Sequence, residues 1–188
     1  MRHKQEDNMK RKSDKLSDKL RIKGKYTFEC FDKDGRLKWR EDTDNLVVTV
    51  GRNALLDAAL AGSSYTAAAY MGLISSVDWS AIAAGDAMGS HSGWKEAGPT
   101  NAPNYTGDRK TCAWAAAASG AKALSASLSF APNESGTLKG GFIVFGTGAS
   151  ATKDSTGGVL LSAVAFTEGD RSVVSGDTIN VSYTLTLS

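Results

Sequence analysis

The C-terminal segment Ser175–Ser188 places the strongest constraint on the fold, because its sequence SGDTINVSYTLTLS alternates between apolar and polar residues. The apolar positions are Ile179, Val181, Tyr183, Leu185 and Leu187. A period of two predicts a β-strand with one face on a core and the other in solvent. One strand cannot bury its apolar face alone, so the rest of the chain must supply its neighbours.

Short apolar or alternating segments, separated by turn residues, recur along the chain and predict those neighbouring strands. We expect strands in the hairpin Lys25–Glu41 and in Asn45–Val50, Ala67–Ser75, Arg109–Ala118, Leu124–Phe130, Leu138–Gly146, Val159–Phe166 and Arg171–Val174. Within Leu138–Gly146, the pair Gly140 and Gly141 marks a candidate β-bulge.

One segment has the spacing of a helix rather than of a strand. Within Arg52–Ala61 an apolar stripe is formed by Leu55, Leu56, Ala59 and Leu60. Gly62 follows where a C-terminal cap belongs. The whole pattern predicts a mainly β protein, namely a β-sandwich of the immunoglobulin-like or jelly-roll type with one short helix.

The N-terminal segment differs from the rest of the chain in composition. The net charge of the protein is only +2, but Met1–Lys25 has an excess of Lys and Arg and contains no aromatic residue. We therefore predict a basic, flexible arm over residues 1–24 and a sandwich domain over residues 25–188. A marginal helix over Ser13–Arg21 is an alternative for part of the arm. If the arm orders on a partner, the candidate binding residues are Arg2, Lys4, Lys10, Arg11, Lys12, Leu16, Lys19 and Leu20.

The two cysteines, Cys30 and Cys112, are far apart and belong to no CxxC or Cys/His cluster, so neither a zinc site nor another cofactor is predicted. A single disulfide between them and two buried thiols both fit the sequence, and the reduced, buried state is favoured. We expect the chain to fold in the cytosol, because it shows no signal peptide and no apolar run near the ~20 residues that span a bilayer.

The sequence offers little material for catalysis. His91, in the segment SHSGW at Ser90–Trp94, is the one histidine outside the arm, and no GxSxG motif surrounds a serine. The carboxylates available to a glycosidase lie in predicted turns or loops: Asp78, Asp86, Glu96, Asp108 and Glu134. We predict that the protein is not an enzyme, and that the SHSGW segment is a surface loop held by Trp94 rather than a site.

Several segments, taken together and in this order, resemble a family of small tailed-bacteriophage virion proteins. They are Asn45–Val47, Gly51 with Leu55 and Leu56, Tyr70–Leu73, Ser90–Trp94, Gly140–Phe145, Gly158–Phe166 and Ser175–Val181. The resemblance covers about Lys25–Ser188 and leaves the arm out. It implies a structural component of the particle and supplies no catalytic residue to assign here.

Two functions follow as expectations from this resemblance. The first is a capsid decoration or cement protein that binds the head shell and bridges capsid subunits. Its partners would be the major capsid protein or other virion proteins, it would form a dimer or trimer, and it would be located in the virion. The second is a tail, head-fibre or adaptor component of the particle. No membrane and no specific nucleic acid is expected as a partner.

Overall fold

The computed structural model describes residues 21–60 and 68–188, and this part of the chain is mainly β with one helix. The strands are β1 (Ile22–Phe31), β2 (Leu37–Val47), β3 (Ala69–Ser75), β4 (Lys95–Glu96), β5 (Lys110–Thr111), β6 (Ala121–Ala123), β7 (Leu128–Phe130), β8 (Gly136–Phe145), β9 (Val159–Ala165), β10 (Arg171–Val173) and β11 (Thr178–Leu187), and the helix is α1 (Thr49–Leu60). All pairs among these strands are antiparallel. The predicted fold class is confirmed.

The strands form one open sheet that turns back on itself at β2. The strand order is β4-β3-β8-β9-β2-β1-β11-β6, and β5, β7 and β10 pair with β3, β11 and β8. Most of β2 pairs with β1, whereas its last residues, Leu46 and Val47, pair with Ala163 and Ser162 of β9. A front layer around β1 and β11 therefore faces a back layer of β3, β8 and β9, as in a sandwich.

The two layers meet in a core built mainly from the inward faces of β1 and β11. The rings of Phe28 in β1 and Phe166, just after β9, pack edge to face with their centroids 4.9 Å apart. Gly141 of β8 makes room for Phe28, because a Cβ at this glycine would lie 3.1 Å from the Phe28 ring. The hydroxyl groups of Tyr26 and Ser162 are hydrogen-bonded across the layers at 2.8 Å.

The predicted C-terminal strand forms β11 and pairs along the full length of β1, from Ile22 opposite Leu187 to Phe31 opposite Thr178. Its inward residues Ile179, Val181 and Tyr183 are buried. Leu187 is 46% exposed, because the apolar face of this strand continues past the end of the core.

The back layer is buried on both faces, which explains why β3, β8 and β9 lack a clean polar–apolar alternation. A second core cluster on its outer side includes Trp94, Met88, Phe142 and Leu160. Trp94 is fully buried and its indole Nε1 donates a hydrogen bond of 3.0 Å to Asp86. The SHSGW segment is therefore held by Trp94, as predicted.

Several predicted strands have different bounds in the structure. The separate strand Asn45–Val50 is wrong, because β2 continues to Val47 and α1 begins at Thr49. The residues there do not alternate between apolar and polar because the chain passes from the front layer to the back layer at this point. They do not form a strand buried on both faces. β1 begins at Ile22, so residues 22–24, assigned above to the arm, lie in the first strand.

The alanine-rich region also departs from the prediction. Of Arg109–Ala118 only Lys110–Thr111 forms a strand, and of Leu124–Phe130 only Leu128–Phe130 does. Alanine and serine bury little area and have low strand propensity, so these segments pair through isolated bridges such as Trp114 opposite Leu124. The irregularity in β8 lies at Lys139, beside the predicted Gly140 and Gly141, where Ile74 and Ser75 of β3 pair with Gly140 and Leu138.

Candidate partner-binding surface

The eight arm residues predicted to bind a partner lie outside the described residues. They are Arg2, Lys4, Lys10, Arg11, Lys12, Leu16, Lys19 and Leu20. The description begins at Arg21, and Arg21 and Lys23 extend the positive charge of the arm into the start of β1. The predicted binding residues therefore remain a prediction, and the surface around Arg21 is the described surface that adjoins them in the chain.

The residues that most resemble a catalytic site are held in structural contacts. The His91 ring stacks on Trp94 with the centroids 3.7 Å apart, and its Nδ1 lies 3.2 Å from the Trp94 carbonyl oxygen. His91 and Glu96 line a small pocket of about 130 Å³. The Glu96 carboxylate is already neutralised by Arg109, whose Nε and Nη2 donate at 2.9 and 2.7 Å. These contacts hold the loops on either side of β4 in place.

Both cysteines are free and buried, which confirms the favoured reading of two thiols. Burial, reinforced by the nearby Asp177 carboxylate, raises the pKa of Cys30 to about 12. Burial alone raises the pKa of Cys112 to about 12. Neither thiol is therefore ionised near neutral pH, and a thiol in that state is a poor nucleophile and metal ligand.

Within residues 21–60 and 68–188, no group of three or more His, Cys, Asp or Glu side chains is arranged to hold a metal ion. In the same part of the chain, no helix combines the length and apolar character required to cross a membrane.

Helix α1 contacts the sheet through its smallest residues. A Cβ at Gly51 would lie 2.5 Å from the carbonyl oxygen of Leu161 in β9, so only glycine permits this approach. Gly51 and Ala54 are the buried residues of the helix. Leu55 packs partly against the core, whereas Leu56 is 46% and Leu60 82% exposed. The predicted helix is confirmed as α1, but of its predicted apolar stripe Leu55 packs against the core while Leu56, Ala59 and Leu60 are exposed.

The exposed side of α1 and the first residues of β1 form a groove of about 450 Å³, which we call the α1–β1 groove. Its described lining consists of Arg21, Ile22, Lys23, Arg52 and Leu56. Nη2 of Arg52 donates a solvent-exposed hydrogen bond of 3.2 Å to Oγ1 of Thr49. Three basic and two apolar residues thus line the groove, and no acidic residue occurs among the described lining residues. Side chains alternate along β1, so Ile22, which packs partly against the core, points to the opposite face from Lys23.

An apolar centre with a charged rim is the usual anatomy of a protein-binding surface. The sequence analysis located the basic arm but missed the groove beside it. The available signal was the spacing of Gly51 and Ala54, because residues three positions apart lie on one face of a helix and small residues there permit a close approach. Their packing against β9 leaves Leu56 and Leu60 uncovered.

Comparisons of the chain with protein-family models, curated proteins and solved structures find no match.

Proposed function

We propose that this protein is a structural component of a tailed-bacteriophage particle, acting as a decoration protein that binds the head shell and bridges its subunits. The resemblance suggests the particle, and the structural observation that supports a binding role is the position of the α1–β1 groove. Arg21 lines the groove and directly follows the basic segment of residues 1–20 in the chain. The arm and the groove can therefore act together as one cationic, partly apolar interface.

The segments that resemble virion proteins are compatible with this role. Gly51 sets the approach of α1 to β9, Trp94 holds the loop over the back layer, and Gly140–Phe145 lies within β8. These segments build the interior, so the resemblance supports a shared architecture. The basic arm sequence and the α1–β1 groove are left to determine which surface of a particle the protein meets.

The proposed mechanism is stabilisation by mass action. A protein that binds the assembled shell, but not dissociated subunits, shifts the assembly equilibrium towards the shell. Bridging neighbouring capsid subunits adds a contact that must break before the shell opens. An oligomer, a dimer or trimer in this proposal, multiplies such contacts through effective concentration.

The test uses heads of the phage whose genome encodes the chain, prepared without this protein and without tails. Purified full-length protein is added, the heads are sedimented, and bound copies are counted by quantitative mass spectrometry. We expect saturable binding in many copies per head and a higher temperature of shell disruption. Protein that remains in the supernatant, or that binds isolated tails or fibres instead of heads, contradicts a decoration function.

A further inference from the structure

The α1–β1 groove has a charge and a shape that define the partner it fits. Arg52 and Leu56, one helical turn apart on the exposed side of α1, give it a cation beside an apolar side chain, and Ile22 adds apolar surface. Arg21 and Lys23 add positive charge at its β1 edge. Ile22 lies opposite Leu187 in the β1–β11 ladder, so further partly exposed apolar surface lies next to the groove. The ligand must therefore offer both negative charge and apolar side chains.

Lys25, a neighbouring cation on β1, is less available than the cations in the groove, because its Nζ lies 4.0 Å from the Asp42 carboxylate. Arg52 makes its described hydrogen bond to the neutral hydroxyl of Thr49 and is exposed. A carboxylate in the groove would give Arg52 a charged acceptor that its present partner does not provide.

We infer that the α1–β1 groove binds an acidic, amphipathic protein segment, whose leucine-like side chains contact Ile22 and Leu56 and whose carboxylates contact Arg52, with Arg21 and Lys23 adding positive charge at the edge. The apolar surface favours a protein over a nucleic acid, since a phosphate backbone would leave Leu56 and Ile22 uncovered. The arm of the same chain fits less well, because residues 1–20 carry an excess of Lys and Arg. This inference deepens the proposed function by naming the chemistry of the shell segment that the groove would meet.

The probe is a fluorescent synthetic peptide with leucines three and four residues apart and glutamate at the other positions. The comparison peptide has lysine in place of glutamate. The full-length protein is titrated into each peptide at low and at raised salt, and binding is followed by fluorescence anisotropy. We expect the glutamate peptide to bind, the lysine peptide to fail, and the affinity to fall with salt because exposed charges are screened.

Substitutions locate the binding on the protein. Arg52→Glu and Leu56→Asp should each weaken binding of the glutamate peptide by about tenfold or more. Val174→Asp is the matched control, because Val174 and Leu56 are both 46% exposed and Val174 lies away from the lining residues. It should leave the affinity unchanged. Thermal melting shows that each variant is folded before titration.

Four results would each overturn the inference. The glutamate peptide does not bind, or both peptides bind alike. Binding of the glutamate peptide survives Arg52→Glu and Leu56→Asp, or duplex DNA binds the groove more tightly and displaces the peptide. If the protein does not bind heads but its binding of the glutamate peptide depends on the groove, the proposed function alone is refuted. If Arg52→Glu and Leu56→Asp leave the affinity for heads unchanged, this inference alone is refuted.

Discussion

Arg109 and Glu96 form a bidentate ion pair inside the protein, with both side chains almost completely shielded from solvent. The remaining donors of Arg109 reach the carbonyl oxygens of Ser150 and Ser155 at 3.1 and 2.8 Å. Oε2 of Glu96, which accepts from Nη2 of Arg109, also accepts a hydrogen bond from the backbone N–H of Asp154 at 2.8 Å. The pair therefore fastens the loop after β8 to the segment between β4 and β5.

We predict that Arg109→Ala lowers the free energy of unfolding by about 3–5 kcal/mol, because it leaves the Glu96 carboxylate buried without its partner. Urea denaturation followed by tryptophan fluorescence measures the change. Arg36→Ala is the control, since the Arg36–Asp34 pair is exposed, and exposed pairs contribute about 0–1 kcal/mol. Equal effects of the two substitutions would contradict a structural role for the buried pair.

A second prediction concerns Glu41, a buried carboxylate on β2 that accepts hydrogen bonds from Thr167 and Arg171. Burial alone would raise the pKa of Glu41, but the hydrogen bonds from Arg171 and Thr167 outweigh it and hold the pKa below its ordinary value. A carboxyl whose pKa is lowered on folding stabilises the protein above its unfolded pKa and loses that contribution as pH falls through the folded pKa.

Glu41→Gln should therefore destabilise the protein most near neutral pH. The difference from wild type should shrink as pH falls below the ordinary glutamate pKa of about 4.3. Denaturation midpoints across a pH series measure it, with Glu134→Gln as the exposed control. A difference between Glu41→Gln and wild type that is constant across this range would contradict the assignment.

The third prediction is that Cys30 and Cys112 resist alkylation in the native protein. Their burial and raised pKa values, about 12 for each, leave almost no thiolate at mildly alkaline pH. Mass spectrometry after iodoacetamide treatment should show no adduct without denaturant and two adducts with it. Ser182→Cys, on the exposed face of β11, should react in the native state. Rapid native labelling of wild type would contradict the burial.

The sequence predicted best where one residue pattern had a single structural solution. The alternation in β11 fits only a half-buried strand. The same alternation, through Tyr26 and Phe28, predicted β1, which pairs with β11. The sequence predicted poorly where side chains are small or where the chain changes layer, as at Leu46–Val48. The α1–β1 groove was not predictable from periodicity, because the exposure of Leu56 depends on how closely Gly51 approaches β9.

Val181, in the buried part of β11, and Leu187, at its end, test how much of the apolar face of the strand belongs to the core. Val181→Asp should prevent folding, because an unpaired carboxylate would be buried at a cost that exceeds a typical stability of about 5–15 kcal/mol, or else shift its pKa far upwards. Leu187→Asp, on the same face but 46% exposed, should change the free energy of unfolding little. Solubility and cooperative thermal melting report both. Deletion of Ser175–Ser188 should give insoluble protein, because it removes the whole buried face of β11. A soluble deletion variant that melts cooperatively would refute this prediction.

The last prediction concerns the basic segment before β1. Deletion should stop after residue 20, because Ile22 and Lys23 pair with Leu187 and Thr186 in the sheet. We expect the truncated protein to keep the melting temperature of the full chain, since the deletion removes none of the described β1–β11 pairs. Its affinity for heads should fall, and the loss should be largest at low ionic strength, where the charges of Arg2, Lys4, Lys10–Lys12 and Lys19 are least screened.

Each solvent-exposed charge contact contributes only about 0.2–1 kcal/mol, so a measurable loss requires several contacts together. Sedimentation with heads across a salt series measures it, and the same deletion in the Arg52→Glu background shows whether arm and groove act on one partner. Unchanged affinity of the truncated protein at every salt concentration would assign the arm no role in binding.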